Sequence, residues 1–126
     1  MRLLGIDYGA RRVGLALSDP AGIIAVPHSV FDNDRYLLAK VLKLCEAEGV
    51  EQVVLGESLT FAGRPNPIMA KITKFKEGLE GQGLKVWLEP EYLTTSEANR
   101  ETGEDNFSDA RSAALILRSY LEKHHA

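Results

Sequence analysis

At 126 residues, with 44% apolar and 26% charged content, the chain is expected to be one globular domain spanning 1–126, able to bury a core without staples. A single cysteine excludes an internal disulfide framework and a cysteine-rich zinc site, and the absence of a long apolar run or signal-like start points to a cytoplasmic protein with no membrane partner. The net charge of −3 argues against a uniformly basic nucleic-acid binder, although residues 58–76 hold no acid and carry Arg64, Lys71, Lys74 and Lys76.

In chain order, Leu3–Asp7 is an apolar strand ending in a carboxylate. Gly9 allows a sharp turn into a second strand, Val13–Leu17, and Ser18–Gly22 supplies the next turn. A third strand, Ile23–Phe31, is interrupted by Pro27, which favours an edge or a bulge. The three strands make an antiparallel meander, and His28 within it is read as structural. Asp32-Asn33-Asp34 offers capping chemistry for a helix over Arg35–Glu48 that stops at Gly49 and is expected to bury Leu37, Leu38, Val41, Leu42, Leu44 and Cys45.

A continuous apolar strand, Gln52–Leu55, then runs into Gly56-Glu57-Ser58, and a loop holds Phe61–Pro67. From Pro67 a helix places Ile68, Ile72, Phe75 and Leu79 on one face, with Lys71 and Lys74 off it. Leu84–Leu88 is a fifth strand leading to Glu89-Pro90-Glu91. Thr94 to Glu97 has the spacing of a capping box opening a short helix, an acidic loop covers Glu101–Phe107, and a last helix runs from Ser108 to about Lys123.

The order β-β-β-α-β-α-β-α predicts an α/β fold with a five-stranded mixed sheet. Right-handed crossovers put strands four and five parallel to strand one, on its outer side. Their C-terminal ends then share the edge at which open α/β sheets bind ligands. An acid stands at each of those ends: Asp7, Glu57, and Glu89 or Glu91. In the last helix Asp109 begins the face of Ala113, Ile116 and Tyr120, which must pack on the sheet. Taken singly, Asp7 reads equally as a turn cap, and Asp109 as a complement to the helix dipole. Gathered at one edge, the carboxylates would repel unless cations lay between them. Oxygen donors without histidine or cysteine suit Mg²⁺ or Mn²⁺, and a pair of such ions about 3.5–4 Å apart supports phosphodiester cleavage.

GIDYGARRVGLALSD followed by GIIAVPHS resembles the amino-terminal signature of the YqgF family, also called RuvX or Holliday-junction-resolvase-like. YLTTSEA resembles its second signature and SDARSAALILRSYL its third. The resemblance covers nearly the whole chain with motif order and spacing kept. It implies a ribonuclease H-like fold and a metal-dependent nuclease processing the 5′ end of the small-subunit (16S) ribosomal RNA precursor, or cleaving Holliday junctions; monomer and homodimer stay open alternatives. By motif the catalytic and metal-holding acids would be Asp7, Glu91 and Asp109, with Thr94 and Thr95 shaping the loop beside Glu91. Arg11 and Arg12 would face phosphate, or be solvated turn residues, and the basic stretch of Arg64, Lys71 and Lys74 would add nucleic-acid contacts.

The chain also departs from the family pattern. Gly56-Glu57-Ser58 stands where the family has Gly-Leu-Pro, Pro90-Glu91-Tyr92 where it has Asp-Glu-Arg, and Glu101, Glu104 and Asp105 where the loop is usually basic. Fewer cations imply weaker phosphate binding, which keeps a binding-only ribosome-assembly factor as the rival reading. The other rival is an actin- or sugar-kinase-like ATPase, which would need a second lobe. Glu57 is expected either as a fourth metal ligand or as a strand-end residue of no consequence to cleavage.

Overall fold

Continuous apolar runs and two tight turns make the first third of the chain a meander. In the computed structural model the described residues are 1–59, 67–92 and 107–124, the side chains of Leu59, Glu91 and Tyr92 excepted. Strands β1 (Arg2–Tyr8), β2 (Arg12–Ser18) and β3 (Ala25–Asp32) pair antiparallel. The first turn closes when the Gly9 N–H donates to the Arg12 carbonyl at 3.0 Å. In the second, the Asp19 carboxylate accepts from the N–H groups of Ile23 and Ile24 at 2.7 and 2.8 Å. Those bonds hold its pKa below the ordinary aspartate value. β3 is an edge strand, and its register slips opposite Leu15 and Ala16, at His28 next to Pro27. The expectation drawn from that proline holds.

Helix α1 (Leu37–Glu48) buries Leu37, Val41 and Cys45, leaves Leu38, Leu42 and Leu44 only partly buried against the core, and ends at Gly49 with φ 68°. The acids before it do not cap it. Asp34 Oδ1 accepts the Tyr36 N–H at 2.9 Å in the preceding turn, a local bond that competes with helix capping, and no side chain caps the helix itself.

β4 (Val50–Leu59) and β5 (Lys85–Tyr92) run parallel to β1 and longer than their apolar cores suggested, giving the order β3-β2-β1-β4-β5. Helix α2 (Met69–Glu80) joins them, burying Ile72, Phe75 and Leu79. With α1 it covers the face bearing Leu4, Ile6, Leu15, Val53 and Leu55. Helix α3 (Phe107–His124) covers the other face, where Leu3, Ala16 and Val54 meet Ala113 and Leu117. It lies very close to the strands: a Cβ at Gly5 would stand 2.7 Å from Leu117 Cβ and 2.8 Å from the Ala113 carbonyl oxygen. The short helix expected at Thr94–Glu97, and the loops over 60–66 and 101–106 with Arg64, fall outside the described residues. Among the described residues no helix is long and apolar enough to cross a membrane.

Candidate active site

Strand alternation decides which acids meet. Gly5 looks at α3, so Asp7, two residues on, faces α3 as well. Tyr8 turns the other way and meets Phe75 of α2 with ring centroids 5.3 Å apart. Asp7 is only 3% exposed. Its cross-strand partner is Gly14, and a Cβ built on Gly14 would lie 1.9 Å from the Asp109 carbonyl oxygen. The first turn of α3 therefore rests on β2 directly beside Asp7, since paired Cα atoms in an antiparallel ladder stand about 4.5–5.5 Å apart. Asp109, also 3% exposed, is thus brought to Asp7 by a glycine. It belongs to the helix's first turn, where the dipole favours a negative charge.

Arg12 completes this group. Its Nε lies 3.0 Å from Asp109 Oδ2. The turn that carries it is braced from β3's end, where the Asn33 side-chain amide donates to the Gly9 carbonyl at 2.7 Å and the Asn33 N–H donates to the Arg11 carbonyl at 2.8 Å. Arg11 itself is exposed. Sequence reasoning missed both partners: it sent Asn33 to a helix cap and Arg12 to phosphate. The signal available was parity, because Arg12 precedes Gly14 by two and so shares its face.

The remaining acids divide. One residue beyond the paired row of Ile6, Leu55 and Leu88 come Asp7, Gly56 and Glu89. Glu89 faces α3, 3% exposed, accepting from Ser119 Oγ at 2.7 Å and Lys123 Nζ at 2.6 Å. It is thereby tied to the far end of the helix. Glu57 pairs in register with Pro90, between the α3-facing positions Gly56 and Ser58. Alternation puts it on the α1–α2 face with Val53 and Leu55. This corrects the expectation that Glu57 joins Asp7: β4 continues to Leu59, so Glu57 is inside the strand rather than at its turning end.

Glu91 occupies the register position opposite Ser58, two residues past Glu89 and of the same parity; its side chain is outside those described. Lys71 and Lys74 are exposed on α2, across the sheet from the acids rather than beside them. Among the described residues no three acid, histidine or cysteine side chains form a metal cluster. What the described residues do hold is two buried carboxylates, Asp7 and Asp109, on neighbouring elements, with an arginine on the second; oxygen donors of this kind suit a hard cation.

A family model described as Holliday junction resolvase, RuvX, matches residues 1–123. The chain belongs to the RuvX family. Its similarity to curated relatives runs the whole length: it is 35% identical to an Anaplasma marginale protein over 96% of this chain and 84% of the relative. It is also 35% identical to one from Koribacter versatilis, over 97% and 87%. Both carry the name "Putative pre-16S rRNA nuclease". Among solved structures, Thermus thermophilus RuvC with a Holliday junction substrate superposes with a TM-score of 0.60 at 17% identity, covering 98% of this chain and 95% of that one. The Fowlpox virus resolvase with junction DNA gives 0.57 at 16% identity, covering 98% of each. The RuvX chain thus has the ribonuclease H-like fold of RuvC-type enzymes. Its family is one of nucleases, which hydrolyse phosphodiester bonds.

Proposed function

We propose that this RuvX chain is a cytoplasmic, divalent-metal-dependent endonuclease that processes the 5′ end of the 16S ribosomal RNA precursor. The observation that carries the reading is the juxtaposition of buried Asp7 and Asp109 across Gly14. Asp7 and Asp109, with Glu91 from the second signature, are the residues that would hold Mg²⁺ or Mn²⁺. Bound there, the metal supplies Lewis-acid activation of a water and charge stabilisation for the leaving oxygen.

The chain's own contribution is placement. Gly14 sets the spacing of the two carboxylates, and the packed α3 face keeps bulk water from their inner side, where electrostatic interactions are stronger than in water. Arg11, exposed in the β1–β2 turn, is available to substrate phosphate. Lys71 and Lys74 on α2 add basic groups on the other side of the sheet.

The test is cleavage of an end-labelled 16S precursor leader and, in parallel, of a four-way DNA junction, with Mn²⁺ or chelator. The expected result is metal-dependent cutting of the RNA. Asp7→Asn should lower it by about two orders of magnitude or more, while Glu57→Gln, on the opposite face, should leave the rate unchanged. Cleavage that survives chelation, or that survives Asp7→Asn, would overturn the metal-dependent reading. Preference for the junction would transfer the substrate to branched DNA.

A further inference from the structure

We infer that Arg12 is a built-in counter-cation of this site: its guanidinium stands on Asp109 and must give that carboxylate up when a divalent ion binds. The inference rests on the metal-site reading and says which of the chain's own groups a divalent ion would have to displace. Asp109 is buried beside a second buried acid, and a buried carboxylate requires a compensating charge or hydrogen bonds. Arg12 supplies the charge at 3.0 Å from Oδ2.

The side chain is suited to an exchange rather than a permanent bond. Its backbone is pinned, by strand pairing on one side and by the Asn33 bonds to Gly9 and Arg11 on the other. Yet its own side chain is 28% exposed, against 4% for Asp109. The guanidinium can therefore swing outward while the carboxylate stays where Gly14 has put it. A divalent ion on Asp109 would repel the guanidinium and take its oxygen. The displaced arginine would then stand at the mouth of the site, where an anionic strand has to pass.

Metal affinity and metal-free stability separate this role from simple packing. Mn²⁺ is titrated calorimetrically into wild type, Arg12→Gln and Arg12→Lys, and each metal-free protein is melted. Removing the competing charge in Arg12→Gln should tighten Mn²⁺ binding by about tenfold while lowering the metal-free Tm. Arg12→Lys, which keeps the charge, should restore the weaker affinity and most of the Tm. A destabilised Arg12→Gln with wild-type Mn²⁺ affinity would reduce Arg12 to a structural partner and overturn the inference.

Should Arg12→Gln not fold, the wild-type Arg12 Nε–Hε resonance reports directly. It should shift on adding Mg²⁺, and a resonance indifferent to saturating Mg²⁺ overturns the inference. The failure of the underlying reading looks different: no binding heat in wild type or any variant removes the metal site and, with it, the role of Arg12.

Discussion

A methyl group on Gly14 would lie 1.9 Å from the Asp109 carbonyl oxygen and 2.3 Å from its carbonyl carbon. Both are backbone atoms, so no rotamer change relieves the clash and α3 must lift off β2. Gly14→Ala is therefore expected to cost about 3 kcal/mol, the upper range for overpacking, and to separate Asp109 from Asp7. Urea unfolding measures the first effect and metal-dependent cleavage the second. Gly49→Ala is the comparison: φ is 68° but nothing lies within 4 Å of the added carbon. It should cost only about 1 kcal/mol of backbone strain and leave cleavage intact. At the same scale Cys45 is a core residue. Burial pushes its thiol up to about 11, so it stays protonated at neutral pH and unreactive, as its place on the apolar face of α1 implied.

Helix α3 is held to the sheet by an ion pair at each end. Asp109 in its first turn meets Arg12 of β2, while Lys123 in its last turn meets Glu89 of β5 at 2.6 Å, with Ser119 also bonded to that carboxylate. Between them the glycine and alanine contacts at Gly5 and Ala113 set the height of the helix. The clamp at the C-terminal end should behave as a coupled unit. Lys123→Met leaves the buried Glu89 charge with Ser119 but no cation, and should cost about 2 kcal/mol, moderated because Lys123 is half exposed. Adding Glu89→Gln should recover part of that loss. A double-mutant cycle by chemical denaturation should give a coupling of at least about 1 kcal/mol. Strict additivity would show that the pair does not hold the helix.

For the molecule as a whole, the proposed site makes stability depend on metal. Two buried acids, Asp7 and Asp109, lie on the α3 side of the sheet, with Arg12 on Asp109, in a chain whose net charge is −3. Binding a divalent ion to the native state alone adds about 2.7 kcal/mol at a hundredfold excess over the Kd, which raises Tm by several degrees for a domain of this length. Calorimetry with and without Mn²⁺ should show that rise in wild type and lose it in Asp109→Asn. An unchanged Tm in wild type would count against a metal at Asp7 and Asp109.

What the sequence determined by itself was whatever is written locally. Turn residues, short apolar runs and helical spacing set the element order, and right-handed crossovers set the sheet order that the paired strands display. The phase of Asp109 along α3 and its apolar companions was equally legible, because a helical face is fixed by spacing within one element. Tertiary structure alone decided which acids share a face. A strand has a period of two, so a residue's side of the sheet follows from pairing register and from where the strand ends, and both are set by distant partners. Glu57 was misread because β4 outruns its apolar core. Glu89 was assigned to the far end of α3 by a lysine and a serine that approach only after that helix docks. The pairing of Arg12 with Asp109 has the same origin: it joins the second strand to the last helix, and only the close approach allowed by Gly14 brings the two charges together.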